Sequence, residues 1–169
     1  ETPPEPERPA RWFAEGPREV RLAGWTAKDG ALWLETRTVG AADGARQPLG
    51  VEVRRLGAEA PPAAREAYVV SVETDGVRVG LAPDPLRAVP APVLELPVPP
   101  EAGATWTTPA GRCRVDALDD TARTLAGDRV GCVRVRIDAP SGVRTLRWFD
   151  PQLGEVRREV RERRGKVLA

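Results

Sequence analysis

The chain of 169 residues carries 26 lysines and arginines against 25 aspartates and glutamates, with 41% apolar and 30% charged residues. That near-neutral balance describes an ordinary globular domain able to bury a sizeable core, and it excludes a global field that would select nucleic acid or an anionic membrane. Histidine and methionine are absent and arginines outnumber lysines 24 to 2; this removes Ser-His and Cys-His nucleophile pairs and histidine metal sites, and it warns against treating each arginine as functional.

Residues 1–10, ETPPEPERPA, hold four prolines and three glutamates. Such a segment has too little apolar surface to offset its ordering entropy and reads as a flexible tether before a single β-rich domain at 11–169. A tether of this kind fits an exported protein with a possible N-terminal membrane anchor. No run of 18 apolar residues follows, so no membrane-spanning helix is expected.

From there, strand alternation dominates and the helical period is nearly missing. REVRLAGWTA and ALWLETRTV meet at Asp29-Gly30, a turn that predicts Trp25 opposite Leu34 and Ala27 opposite Leu32. The second face of this hairpin holds Val20, Leu22 and Trp33, so it packs on two sides or lines a groove. GVEVRRLG (50–57) reads as another strand, and EAPPAAREA (59–67) as one short helical turn. YVVSVETDGVRVGL (68–81) is the clearest hairpin. A turn at Asp75-Gly76 predicts Val72 opposite Val79, Val70 opposite Leu81, and Glu73 opposite Arg78 on the other face. Residues 82–103 form a stiff proline-rich crossing segment with an edge strand at Val93–Leu96.

The two cysteines, Cys113 and Cys132, lie in GRCRVDALDDTARTLAGDRVGCVRVRI. Cys113 shares the parity of Val115, whereas strict alternation leaves Cys132 with the arginines. A bulge at Gly131 would correct that parity and allow a Cys113–Cys132 disulfide, worth roughly 3 kcal/mol in the chain-entropy picture. A disulfide in turn implies an oxidising compartment. CVRVRIDAPSGVRTLRWFD then turns at Ser141-Gly142, which predicts Ile137 opposite Leu146 and Val135 opposite Trp148, with Arg136 facing Arg147. EVRREVRERRGKV (155–167) reads as a final strand. Its arginines alternate with glutamates, so the expectation is a mutually paired, solvated face and no nucleic-acid partner.

Chemistry is sparse. The carboxylates Glu15, Glu95, Asp119, Asp120, Asp128 and Asp150 could in principle pair for acid–base work. All read as solvated or turn-forming groups, with Asp150 a turn former before Pro151 and Glu95 pointing away from Leu94 and Leu96. No phosphate-binding or dinucleotide glycine pattern occurs. The expectation is therefore no catalytic residue, no metal and no cofactor. Core packing accounts for Trp25 and Trp148, while Trp33 and Trp106 are the candidate ligand-binding aromatics.

PVLELPVPPEAGATW, AGDRVGCVRVRI and TLRWFDPQLGEVRRE together resemble a group of exported bacterial lipoproteins with no assigned activity. The matching positions are Pro92, Leu94, Pro97, Gly103, Trp106, Gly127, Cys132, Trp148, Pro151, Gly154 and Val156, spanning about 92–160; Gln152-Leu153-Gly154 departs from the group's Gly-Val-Gly. The resemblance implies a secreted, mostly β domain in the periplasm or on the cell surface. The combined expectation is an all-β fold, or a β-rich one with one short helix, built as a single curved antiparallel sheet, half-barrel or open barrel. It would be a monomeric, non-enzymatic envelope module that contacts a protein partner. The alternative is a carrier holding a lipid or other apolar small molecule in a concave face.

Overall fold

The computed structural model describes residues 17–25, 32–55, 64–83, 85 and 88–161. The tether, Glu15, the Asp29-Gly30 turn and the end of the arginine-rich segment lie outside them. The described residues are all strand and turn: β1 Arg18–Trp25, β2 Leu32–Val39, β3 Arg46–Arg55, β4 Ala64–Glu73, β5 Gly76–Leu81, β6 Val93–Pro97, β7 Thr105–Thr108, β8 Gly111–Thr124, β9 Gly127–Asp138, β10 Arg144–Asp150 and β11 Gly154–Arg161. No helix occurs among them; residues 64–67 of the expected helical turn are strand, and 59–63 lie outside the described residues.

The all-β, antiparallel expectation holds. The hydrogen-bonded ladder is divided, however: β1 to β6 form one sheet in sequence order, and β7 to β11 form a second, again in sequence order. The ladder breaks where the proline-rich segment leaves edge strand β6 and crosses to β7. There the Trp106 indole N–H donates to the Leu94 carbonyl at 2.9 Å and fastens one sheet to the other. Neither sheet closes into a barrel.

Two of the expected hairpins keep their faces but slide. β4 and β5 pair Val70 with Val79 and Val72 with Val77, so the turn residues are Thr74 and Asp75. β1 and β2 pair Trp25 with Leu32 and Ala23 with Leu34. Each slide is by two positions, which preserves which side chains share a face. In the first, Gly76 must close the turn beneath β6. Its φ is 154°, and a Cβ there would run into the Leu96 carbonyl and the Leu94 side chain.

The hairpin of β9 and β10 slides by one, with larger consequences. Its loop spans 139–143, closed by hydrogen bonds from Ala139 N–H to the Val143 carbonyl and from Gly142 N–H to the Ala139 carbonyl, both 2.9 Å. Ile137 therefore faces Thr145, Val135 faces Arg147 and Val133 faces Phe149. Because side chains alternate, a one-residue slip exchanges the two faces of the strand. Arg147 and Phe149 join the valines, while Leu146 and Trp148 turn to the opposite side.

Each face of the second sheet consequently has its own core. The main cluster lies between the sheets and joins Val39, Leu49, Val70, Val77 and Leu96 to Cys113, Val115, Val133, Val135 and Phe149. Burying each of the large members contributes about 1.5–3 kcal/mol. The smaller cluster, Ala122, Cys132, Trp148 and Val156, lies on the other face. There the far end of β8 bends over β11, and the Arg157 guanidinium reaches the Arg123 carbonyl at 3.0 Å. Irregularities at 115–122 in the pairing of β8 with β9 supply this bend.

The expected Cys113–Cys132 disulfide is overturned. Both thiols are free and buried, one in each cluster. Cys113 stands opposite Ile137, whereas Cys132 stands opposite Asp120, seven positions further along β8. That separation is on the order of 20 Å along an extended strand, far beyond disulfide reach. The anticipated irregularity at Gly131 does exist, with φ 75°. It lies on the turn side of Cys132, however, and so leaves the alternation from Cys132 to Ile137 untouched.

Two outcomes follow from this architecture. Unfolded in denaturant without reductant, the chain should expose two titratable thiols to Ellman's reagent, and the native protein should expose neither quickly. Gly76→Ala should lower stability by about 2 kcal/mol or more, read as an earlier denaturation midpoint, because the Cβ meets backbone as well as side chain.

Candidate binding cleft

A buried carboxylate holds the two sheets together. Glu155 is the second residue of β11 and is 2% exposed. At this point Phe149 faces Glu155 while Trp148 faces Arg157, so an extra residue is inserted and Glu155 is aimed into the space between the sheets. It accepts five hydrogen bonds. Arg147 gives two (Nε to Oε1 at 3.0 Å, Nη2 to Oε2 at 2.9 Å). Arg158 gives two at 2.8 Å, and Arg37, from β2 of the other sheet, gives one at 2.8 Å. Arg37 also bonds Glu35 at 2.6 Å, and Arg158 lies 3.7 Å from the same carboxylate. On its other side Arg147 bonds Glu95 of β6 and sits over the Phe149 ring, 4.9 Å from its centre.

Burial by itself would raise the Glu155 carboxyl, but the charges of Arg147, Arg37 and Arg158 outweigh it and hold the group well below its ordinary value. For Arg147, burial works to lower its pKa, while the charges of Glu155 and Glu95 raise it and win. Both groups stay ionised throughout the ordinary pH range, a fixed charged layer within an apolar core.

Glu95 is a correction to the sequence reading. Alternation along VLELPV sends it to solvent, yet it turns inward to Arg147. The pairing of β5 with β6 shifts between Val77 and Arg78, so Glu95 is the extra residue of an irregularity and leaves the regular alternation.

Beside this layer a cleft of ≈ 340 Å³ opens between β5–β6 and the second sheet. Its walls are mainly apolar: Val79, Leu81, Pro90, Ala91, Val93, Leu94, Pro109, Ala110 and Ile137. Glu95, Arg147, Cys113, Thr108 and Tyr68 supply its polar points. Burial, then the hydrogen bond and charge of Glu66, push the Tyr68 hydroxyl up to about 12. Burial likewise raises the Cys113 thiol, against a contact with Thr108 that lowers it.

Comparison with protein-family models, curated proteins and solved structures finds no match to this chain.

The two aromatics singled out in the sequence lie elsewhere. Trp33 is half-buried on β2, on the face that carries Glu35 and Arg37, and Trp106 is spent on the fastening bond to Leu94. Neither lines the cleft. Asp119 and Asp128 are exposed. Asp150 accepts the backbone N–H groups of Gln152 and Leu153, the turn role expected of it. Asp120 serves the second cluster instead, accepting from the Trp148 indole and from Arg134, both at 2.8 Å. Burial would raise its carboxyl, but the bonds from Trp148 and Thr121 N–H and the charge of Arg134 bring it below the usual value. No group of three or more potential metal ligands occurs among the described residues. The arginines of β11 are paired with carboxylates or stacked, Arg157 lying 4.9 Å from the centre of the Trp148 ring.

Cleft residues such as Leu81, Pro90 and Ala110 carried no signal in the sequence. They come from three separate segments and meet only when the sheets pack.

Glu155→Gln should cost roughly 3–5 kcal/mol in chemical denaturation, since it leaves buried guanidinium groups with one neutral partner. The pH dependence has a definite sign. A carboxyl with a lowered folded-state pKa contributes stability in full above the ordinary glutamate value of 4.5 and loses it as pH falls through the lowered value. Stability of the native protein should therefore fall below about pH 4.5, and Glu155→Gln should flatten that acid limb.

Proposed function

We propose that this domain binds a small, mainly apolar molecule in the cleft between β5–β6 and the β7–β8 turn. The observation that carries the reading is the cleft itself: ≈ 340 Å³ with a mostly aliphatic lining and a few polar groups at one side, the usual make-up of a small-molecule site. Leu81, on its wall, is 45% exposed, so apolar surface continues from the cleft outward. The volume admits on the order of ten water-sized groups, enough for a short chain or one ring system, and the open side lets a larger molecule project outward. Release and capture would need no chemistry on the ligand, consistent with a carrier.

One observation favours a second role. The β8–β9 hairpin presents Leu125 and Val130 at 90% and 75% exposure, an apolar tip suited to contact with another envelope protein. An exported, lipoprotein-like setting would rest on the resemblance of residues 92–160.

Binding of the neutral fluorescent probe N-phenyl-1-naphthylamine tests the cleft. The native protein should enhance its fluorescence saturably. Ala110→Trp, which fills the cleft from an exposed turn, should weaken binding by about tenfold or more while Leu125→Ser leaves it unchanged. Equal binding by the native protein and Ala110→Trp would remove the cleft as the site.

A further inference from the structure

We propose, resting on the cleft reading above, that the ligand is electrically neutral and ends in a hydroxyl-type group seated between Glu95 and Arg147. The charged groups behind the cleft are Arg37, Arg147 and Arg158 against Glu35, Glu95 and Glu155, three of each sign joined in one network. The floor is therefore already balanced. A charged ligand end would bring an unmatched charge between aliphatic walls, where its desolvation has no compensation.

The same floor is not fully bonded. A guanidinium has five N–H donors. Arg147 directs Nε and one donor of Nη2 to Glu155 and one donor of Nη1 to Glu95, which leaves one hydrogen on each terminal nitrogen. Glu95 accepts from Arg147 through one oxygen, and among the described residues the other oxygen accepts nothing. An acceptor and donors thus stand side by side at the polar end of the cleft. A purely hydrocarbon ligand would cover both and leave them unpaired, at a cost. A hydroxyl satisfies both, donating to Glu95 and accepting from Arg147. The other polar side chains of the cleft are occupied: Tyr68 donates to Glu66, and the Cys113 thiol lies against Thr108 and the Gly111 carbonyl.

The test is displacement of N-phenyl-1-naphthylamine at neutral pH by 1-octanol, octanoate and octylammonium, which share one apolar chain length and differ at the head. The alcohol should displace the probe at a concentration at least about tenfold below either ion. Octanoate or octylammonium displacing as well as or better than the alcohol would overturn the neutral-ligand proposal and leave the cleft reading standing. Saturable probe binding lost in Ala110→Trp but displaced by none of the three would also overturn it. No saturable probe binding at all would remove both. Glu95→Gln gives the floor a net positive charge, so octanoate should gain on the alcohol by about tenfold. If that variant unfolds, the ranking with the native protein still decides.

Discussion

Five hydrogen bonds on one buried carboxylate determine how the two sheets meet. Glu155 belongs to one sheet and takes Arg37 from the other, so the sheets cannot separate without breaking a buried ion pair. The same carboxylate orients Arg147, which reaches across to Glu95 on β6. The polar end of the cleft is therefore an extension of the interaction that aligns the sheets. A group that must stay in place for folding is also rigid, because its rotamers are held by its ion-pair partners.

Departures from regular pairing position each member of this layer. An extra residue in β11 aims Glu155 inward, another in β6 turns Glu95 from solvent, and a five-residue loop between β9 and β10 sets Arg147 on the inner face. The irregular stretch of β8 bends the second sheet until its outer face has a core of its own. That bend explains the cysteines: each fills a different core as a small apolar side chain, which is the commonest role of a buried free thiol.

The arginine richness acquires a structural meaning here. Arg37, Arg147 and Arg158 offer flat, multi-pronged donors that one carboxylate can accept together, which an ammonium would not match. In the second cluster Arg134 and Arg157 hold Asp120 and cover Trp148. The expectation of a mutually paired arginine face on the last strand thus holds for Arg158 and Arg161, with Arg158 drawn partly into the interior.

Much of the local structure was legible in the residues themselves. Alternation marked the strands, Asp75-Gly76 fell within one residue of the β4–β5 turn, proline confined 93–97 to an edge, and the pairing of apolar faces survived slides of two positions. These are properties of neighbours in the chain. Three things were not legible: the one-residue slip that placed Arg147 beside Val135, the inward turn of Glu95, and the separation of Cys113 from Cys132. The first two each depend on a single added residue, which reverses the facing of what lies beyond it and has no composition of its own; the third depends on the register of the β8–β9 hairpin, which sets Cys132 opposite Asp120 rather than Cys113. The cleft lies further still from the sequence, since its walls come from β5–β6, the β7–β8 turn and β10 and acquire their shape only when two sheets pack. The sequence by itself determined that this chain forms antiparallel strands with apolar faces. Which of those faces meet, and what opening they leave, was decided by tertiary packing around a buried ion cluster, because long-range contacts alone choose among registers that are locally almost equal in energy.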